Sequence, residues 1–169
     1  MKSKILLFVI ATLMFTACAT NTSPDGTATT KGSPLREAGG YDSLLAARTG
    51  ADQYGMKKYV LAFLKKGPNR DQDSATSAQL QAAHMRNIQR MADEGKLVLA
   101  GPFMDDQDFR GIYIFNTSST EEAKEWTSTD PAVQAGRLEM ELHPWFGSAA
   151  LMEVNSLHKR LQKTDIVPR

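Results

Sequence analysis

From Lys57 onward, apolar residues fall into runs whose period changes from one segment to the next. The stretch "KKYVLAFLKK" (57–66) holds an unbroken apolar run between lysine pairs and predicts a strand buried on both faces. In "SAQLQAAHMRNIQRMADEG" (77–95), Leu80, His84, Ile88 and Met91 recur at helical spacing, which predicts a helix with one inward stripe, stopped by Gly95. Next, "KLVLAGPF" (96–103) predicts a strand ended by Gly101 and Pro102, "DDQD" a polar hairpin tip, and "RGIYIFN" (110–116) a third strand. A second helix is predicted over "STEEAKEWTST" (119–129), with Ser119 or Thr120 as N-cap and Glu121 and Glu122 in its first turn. The fourth strand, "RLEMELHPW" (137–145), alternates Leu138, Met140 and Leu142 with Glu139, Glu141 and His143, the mark of a half-wet edge.

The order βαββαβ predicts an α+β, ferredoxin-like domain with an antiparallel sheet and both helices on one face. Its central strands are apolar on both sides: Tyr59, Leu61 and Phe63 alternate with Val60, Ala62 and Leu64, and Ile112 and Ile114 with Tyr113 and Phe115. The face without helices therefore needs cover. A homodimer packed sheet to sheet, of the dimeric α/β barrel type, is the economical way to supply it.

Residues 1–17 predict an export signal: Lys2 and Lys4 precede the apolar "ILLFVIATLMFTA", too short for a comfortable membrane span. It ends on "FTAC", which resembles the lipobox of bacterial lipoproteins, with Cys18 the acylated residue. Phe15 departs from the usual leucine, and cleavage at the A-x-A site formed by Ala17, Cys18 and Ala19 is the competing reading. Ala19 is not the aspartate that holds lipoproteins in the inner membrane, so the resemblance implies an outer-membrane anchor facing the periplasm. Residues 18–40, rich in Thr, Ser, Gly and Pro with Leu35 alone as a large aliphatic, predict a flexible tether. Residues 41–56 predict a short helical lead-in, 57–154 the folded domain, and 155–169 a tail in which Leu157 and Leu161 suit a short amphipathic helix.

Loss of residues 1–17 lowers Lys plus Arg from 20 to 18 against 19 acids, so no basic surplus remains for nucleic acid. A single cysteine forbids an intramolecular disulfide. Neither a P-loop nor a dinucleotide fingerprint occurs, and no cofactor is expected. His84, His143 and His158 lack paired spacing, which leaves no metal motif. "GSAAL" (147–151) lacks the pattern of a nucleophile elbow. On the residues alone, His84 reads as a core histidine bonded to a carbonyl, and Asp130 in "TDPAV" as a helix cap ahead of a proline.

Three segments change that picture. "AHMRNIQRMADEGKLVLAGPF", "RGIYIF" and "TDPAVQAGRLEMELHPWFGSAAL" resemble the YCII-related family over roughly Lys57 to Val154, through the helical histidine, the "EGKLVLAGP" strand and the "DPAVQAG" turn. The resemblance implies a ferredoxin-like fold that dimerises through its sheet and a His-Asp active site in a cleft lined by the Gly-Pro strand. Carried over residue by residue, that pair is His84 and Asp130, with Gly101 and Pro102 at the cleft and Phe103, Tyr113 and Trp145 as aromatic neighbours that either line it or pack in the core. A carboxylate beside an imidazole orients the ring and fixes its tautomer, as a general base needs. The expected chemistry is proton abstraction or elimination on a small organic molecule, of a lyase-like kind. A non-catalytic lipoprotein that uses the same dimeric fold for binding or envelope assembly is the alternative.

Overall fold

Helix α1 (Ser43–Thr49) starts where the Asp42 carboxylate accepts from the amides of Leu44 and Leu45, and it ends at Gly50 in the left-handed conformation. The computed structural model describes residues 40–167, so the expected signal segment, Cys18 and nearly all of the expected tether lie outside the described residues. Strand β1 (Met56–Lys66) is followed by helix α2 (Ser74–Asp93), strands β2 (Leu97–Pro102) and β3 (Phe109–Phe115), helices α3 (Thr120–Thr127) and α4 (Pro131–Gln134), and strand β4 (Leu138–Ser148). A 3₁₀ turn (Ala149–Glu153) and helix α5 (Val154–Leu161) complete the order. Helix α2 begins earlier than the apolar stripe suggests, because Asp73 caps it through the Thr76 amide at 2.7 Å. No helix among the described residues is long and apolar enough to cross a membrane.

The sheet runs β2-β3-β1-β4 with every neighbouring pair antiparallel, the ferredoxin-like arrangement. Pairing Val60 with Phe115, Ala62 with Tyr113 and Leu64 with Gly111 puts one set of side chains under the helices. Met91 and Ala123 close over them with Leu97, and Leu138, Met140 and Leu142 of β4 complete the layer. Each large apolar side chain fully buried there contributes about 1.5–3 kcal/mol.

The opposite face is not left wholly to a partner, contrary to the sequence expectation. Leu151 and Met152 of the 3₁₀ turn pack on Tyr59, Val98 and Ile114, so the chain folds back over part of its own sheet. Helix α1 leans on that turn, with Arg48 paired to Glu153 at 3.1 Å. The remainder, around Leu61, Phe63 and Ile112, stays half-buried. Phe63 meets Phe109 at 5.3 Å and His143 at 5.7 Å between ring centres.

Candidate active site

His84 sits on the inward stripe of α2, and the link between α3 and α4 runs past it. Asp130 in that link has extended backbone (φ −79°, ψ 120°) and caps α4, with Pro131 behind it in the first turn. One carboxylate oxygen, Oδ1, accepts from the Ala132 amide at 2.9 Å. The other, Oδ2, lies 2.6 Å from His84 Nδ1. Asp130 is wholly buried and His84 keeps 7% of its surface. Capping and pairing with the histidine are therefore two jobs of one side chain.

A carboxylate only accepts, so the proton of the imidazole–carboxylate bond sits on Nδ1 and Nε2 carries the free lone pair. The Tyr113 hydroxyl is 3.4 Å from that Nε2, and the two rings lie nearly parallel with centres 6.3 Å apart. Burial, with a smaller contribution from the charge of Asp130, pushes the Tyr113 phenol well above its ordinary range, so it stays protonated and donates toward Nε2. The result is a chain of one acid, one imidazole and one phenol, in which the imidazole lone pair faces the Tyr113 hydroxyl across a long 3.4 Å contact at the cleft.

Asn87, one turn beyond His84, braces this chain from the side. Its Oδ1 accepts from Arg90 Nη2 at 2.8 Å and from Thr129 Oγ1 at 3.2 Å, which ties α2 to the residue before Asp130. Two donors at one atom identify it as the amide oxygen; Nδ2 is left buried without a partner.

His84 and Tyr113 both line a cleft of about 570 Å³ between α2, the β2–β3 end of the sheet and the C-terminal segment. That volume is ordinary for a small-molecule site. Gly101, Pro102 and Gly111 form part of its wall, with Leu64 and Ile88 as apolar surface. Gly111 is required by the strand pairing, since a Cβ there would come within 2.5 Å of the Gly101 carbonyl oxygen.

The structure brings His84, Asp130, Gly101, Pro102 and Tyr113 together, Asp130 standing directly behind the histidine. It does not bring Phe103 or Trp145 to the cleft. Trp145 pairs with Tyr59 across β1 and β4 and packs on that ring at 5.8 Å, on the face away from α2. Phe103 lies just past the end of β2 and is 42% exposed. Among the described residues no cluster of three metal-ligating side chains occurs, and His143 is spent on Glu141 at 3.0 Å.

Residues that belong to no sequence motif also line the cleft: Arg70, Arg110 and Arg137, and from the C-terminal segment His158, Lys159 and Gln162. The arginines gave no periodic signal because each lies in or beside a loop. Helix α5 reaches the cleft because Asn155 Nδ2 donates to the Leu97 carbonyl of the edge strand at 2.7 Å and Lys159 pairs with Asp93 at 3.0 Å.

A solved structure of 5-chloro-2-hydroxyhydroquinone dehydrochlorinase from Burkholderia phenoliruptrix AC1100, in complex with 2,5-dihydroxybenzoquinone, is similar at 19% identity, covering 51% of this chain and 92% of that one with a TM-score of 0.39. No curated protein matches. The model of the YCII-related domain matches residues 58–146, more than half of the 169. That stretch holds β1 through most of β4 and with them His84, Asp130 and Tyr113, and the chain belongs to the YCII-related family.

Proposed function

We propose that the cleft takes a small organic molecule and that His84 acts on it as a general base. The observation that carries this reading is the 2.6 Å bond from Nδ1 to a wholly buried Asp130, which leaves Nε2 as an acceptor beside the cleft. In the reaction, Nε2 takes a proton from a carbon next to a carbonyl group. The released electron pair moves into the carbonyl to give an enolate, or expels a leaving group from the adjacent carbon to give a double bond. Asp130 stabilises the imidazolium formed, and the Tyr113 hydroxyl offers a donor. A positioned base of this kind contributes about 10²–10⁴-fold in rate.

Proton abstraction is measurable without knowing the natural leaving group. Small carbonyl acids incubated with the protein in D₂O should lose their α-proton NMR signals faster than in buffer, and His84→Asn should remove the acceleration. Exchange no faster than with His84→Asn, for every acid tried, favours the binding module without turnover.

Two further parts of the reading concern the whole molecule. A second copy, packed on the half-buried patch of Leu61, Phe63 and Ile112, makes the protein a homodimer. Acyl chains on Cys18 anchor it in the outer membrane facing the periplasm, since two or more chains suffice for stable attachment. Mass spectrometry of the mature chain tests the anchor: an acylated Cys18 at the N-terminus is expected, and an unmodified chain beginning at Thr20 contradicts it.

A further inference from the structure

The rim of the cleft carries charge of one sign. Arg70, Arg110, Arg137 and Lys159 line it, and among the described residues no aspartate or glutamate does. Two of these cations are answered close by: Arg110 Nη1 is 2.8 Å from Asp106 Oδ1, and Lys159 Nζ is 3.0 Å from Asp93 Oδ1. The other two meet only neutral oxygens. Arg137 Nη1 donates to Gln72 Oε1 at 2.9 Å, and Arg70 Nη1 donates to the main-chain carbonyl of Arg137 at 3.1 Å. Among the described residues neither guanidinium has a carboxylate partner. Each keeps most of its five N–H donors unused.

The backbone is built to hold this pair. The loop after β1 is laced to the turn between α4 and β4 by Gly67 N to Arg137 O, Asn69 N to Gly136 O and Asn69 Nδ2 to Ala135 O, at 3.0, 3.0 and 3.2 Å. The contact is so close that a Cβ on Gly67 would fall 2.2 Å from the Gly136 carbonyl oxygen, and Gly136 itself has φ of +66°. Arg137 follows Asp130 at the far end of α4, so the histidine's partner and one of the two arginines share a segment, and the loop that carries the other is hydrogen-bonded to it.

We infer that Arg70 and Arg137 form an anion subsite, and that its occupant is the carboxylate of a small organic acid whose apolar body lies along Leu64, Ile88 and Leu138. This rests on the reading of the cleft as a small-molecule site and names the class of molecule it takes. Planar guanidinium forks match a carboxylate's two oxygens, and a cationic wall free of carboxylates excludes cationic ligands. The same charge favours removal of a proton by His84, because the enolate formed from an acid anion carries a second negative charge.

The test uses the full-length protein and three probe acids, acetate, succinate and benzoate, with benzamide as the neutral counterpart of benzoate and inorganic phosphate as the competing oxyanion. Binding is read from ¹H–¹⁵N amide shifts. At least one acid should shift the amides of Gly136 and Arg137 saturably, and Arg70→Gln and Arg137→Gln should each weaken it by about tenfold. Arg137→Lys, which keeps the charge, should lose less than Arg137→Gln. Unchanged affinity in both glutamine variants, equal binding of benzamide and benzoate, a preference for phosphate over every acid, or no saturable response to any acid would each overturn the inference. Failure of the base reading appears separately, as acid binding without α-proton exchange.

Discussion

His84 Nδ1 and Asp130 Oδ2 lie 2.6 Å apart, and the carboxylate has no exposed surface. Its other oxygen caps α4 through Ala132. A charge buried this deeply is tolerated only while both oxygens have donors, so the site chemistry and the stability of the α3–α4 link are coupled.

That coupling separates two substitutions. Asp130→Ala removes the cap, worth about 1 kcal/mol, and strands a buried imidazole donor at about 1–3 kcal/mol. The sum, about 2–4 kcal/mol, should appear as a lower urea midpoint at unchanged slope. Asp130→Asn keeps an oxygen for the Ala132 amide and should cost about 1 kcal/mol. An Asp130→Ala variant as stable as Asp130→Asn would mean that neither bond matters to folding.

Tyr113 predicts an alkaline limb of instability. Its folded phenol titrates above the unfolded value of about 10 because burial and the Asp130 charge oppose the phenolate. Below pH about 10 both states are protonated and stability is fully present. Above it the unfolded chain loses its proton first, binds fewer protons than the native state, and stability falls as pH rises. Tyr59 is shifted the same way by burial, so Tyr113→Phe should flatten only part of the fall. Urea midpoints of the two proteins measured from pH 8 to 11 should diverge at the alkaline end; parallel curves contradict this reading of Tyr113.

The patch around Phe63 predicts association. A charge placed there, Phe63→Asp, should convert the proposed dimer to monomers or to aggregate, because an unpaired carboxylate cannot be buried in an apolar interface. Sedimentation equilibrium reads the result. A wild-type monomer at micromolar concentration would show that the half-buried patch needs no second copy.

Much of the fold was legible because it follows from period and punctuation. The alternation of Leu138, Met140 and Leu142, the Ser119 cap, where Ser119 Oγ accepts from Glu122 N at 3.1 Å, and the Gly95 stop at φ +70° are local rules. The fold-back of Leu151 and Met152 was not legible, since a 3₁₀ turn of a few residues has too short an apolar pattern to reveal which face it covers. His84 and Asp130 were identified through the family's motifs, and their 46-residue separation has no local signature. Aromatic content does not say whether Trp145 faces the cleft or packs elsewhere, because it leaves the face of β4 open, and the pairing with Tyr59 decides that. The arginine pair escaped because a subsite built from two loops exists only once Gly67 and Gly136 have brought those loops together.

The central claim is that His84 presents an unprotonated Nε2 beside the cleft while Asp130 holds the proton on Nδ1. Long-range ¹H–¹⁵N correlation spectra distinguish the two neutral tautomers directly. With the ring neutral, the wild-type protein should show His84 protonated at Nδ1 and bare at Nε2, and Asp130→Asn, whose amide donates to Nδ1, should reverse the pattern and abolish α-proton exchange. A wild-type ring carrying its proton on Nε2 would contradict the account, because such a histidine has no lone pair to offer a substrate.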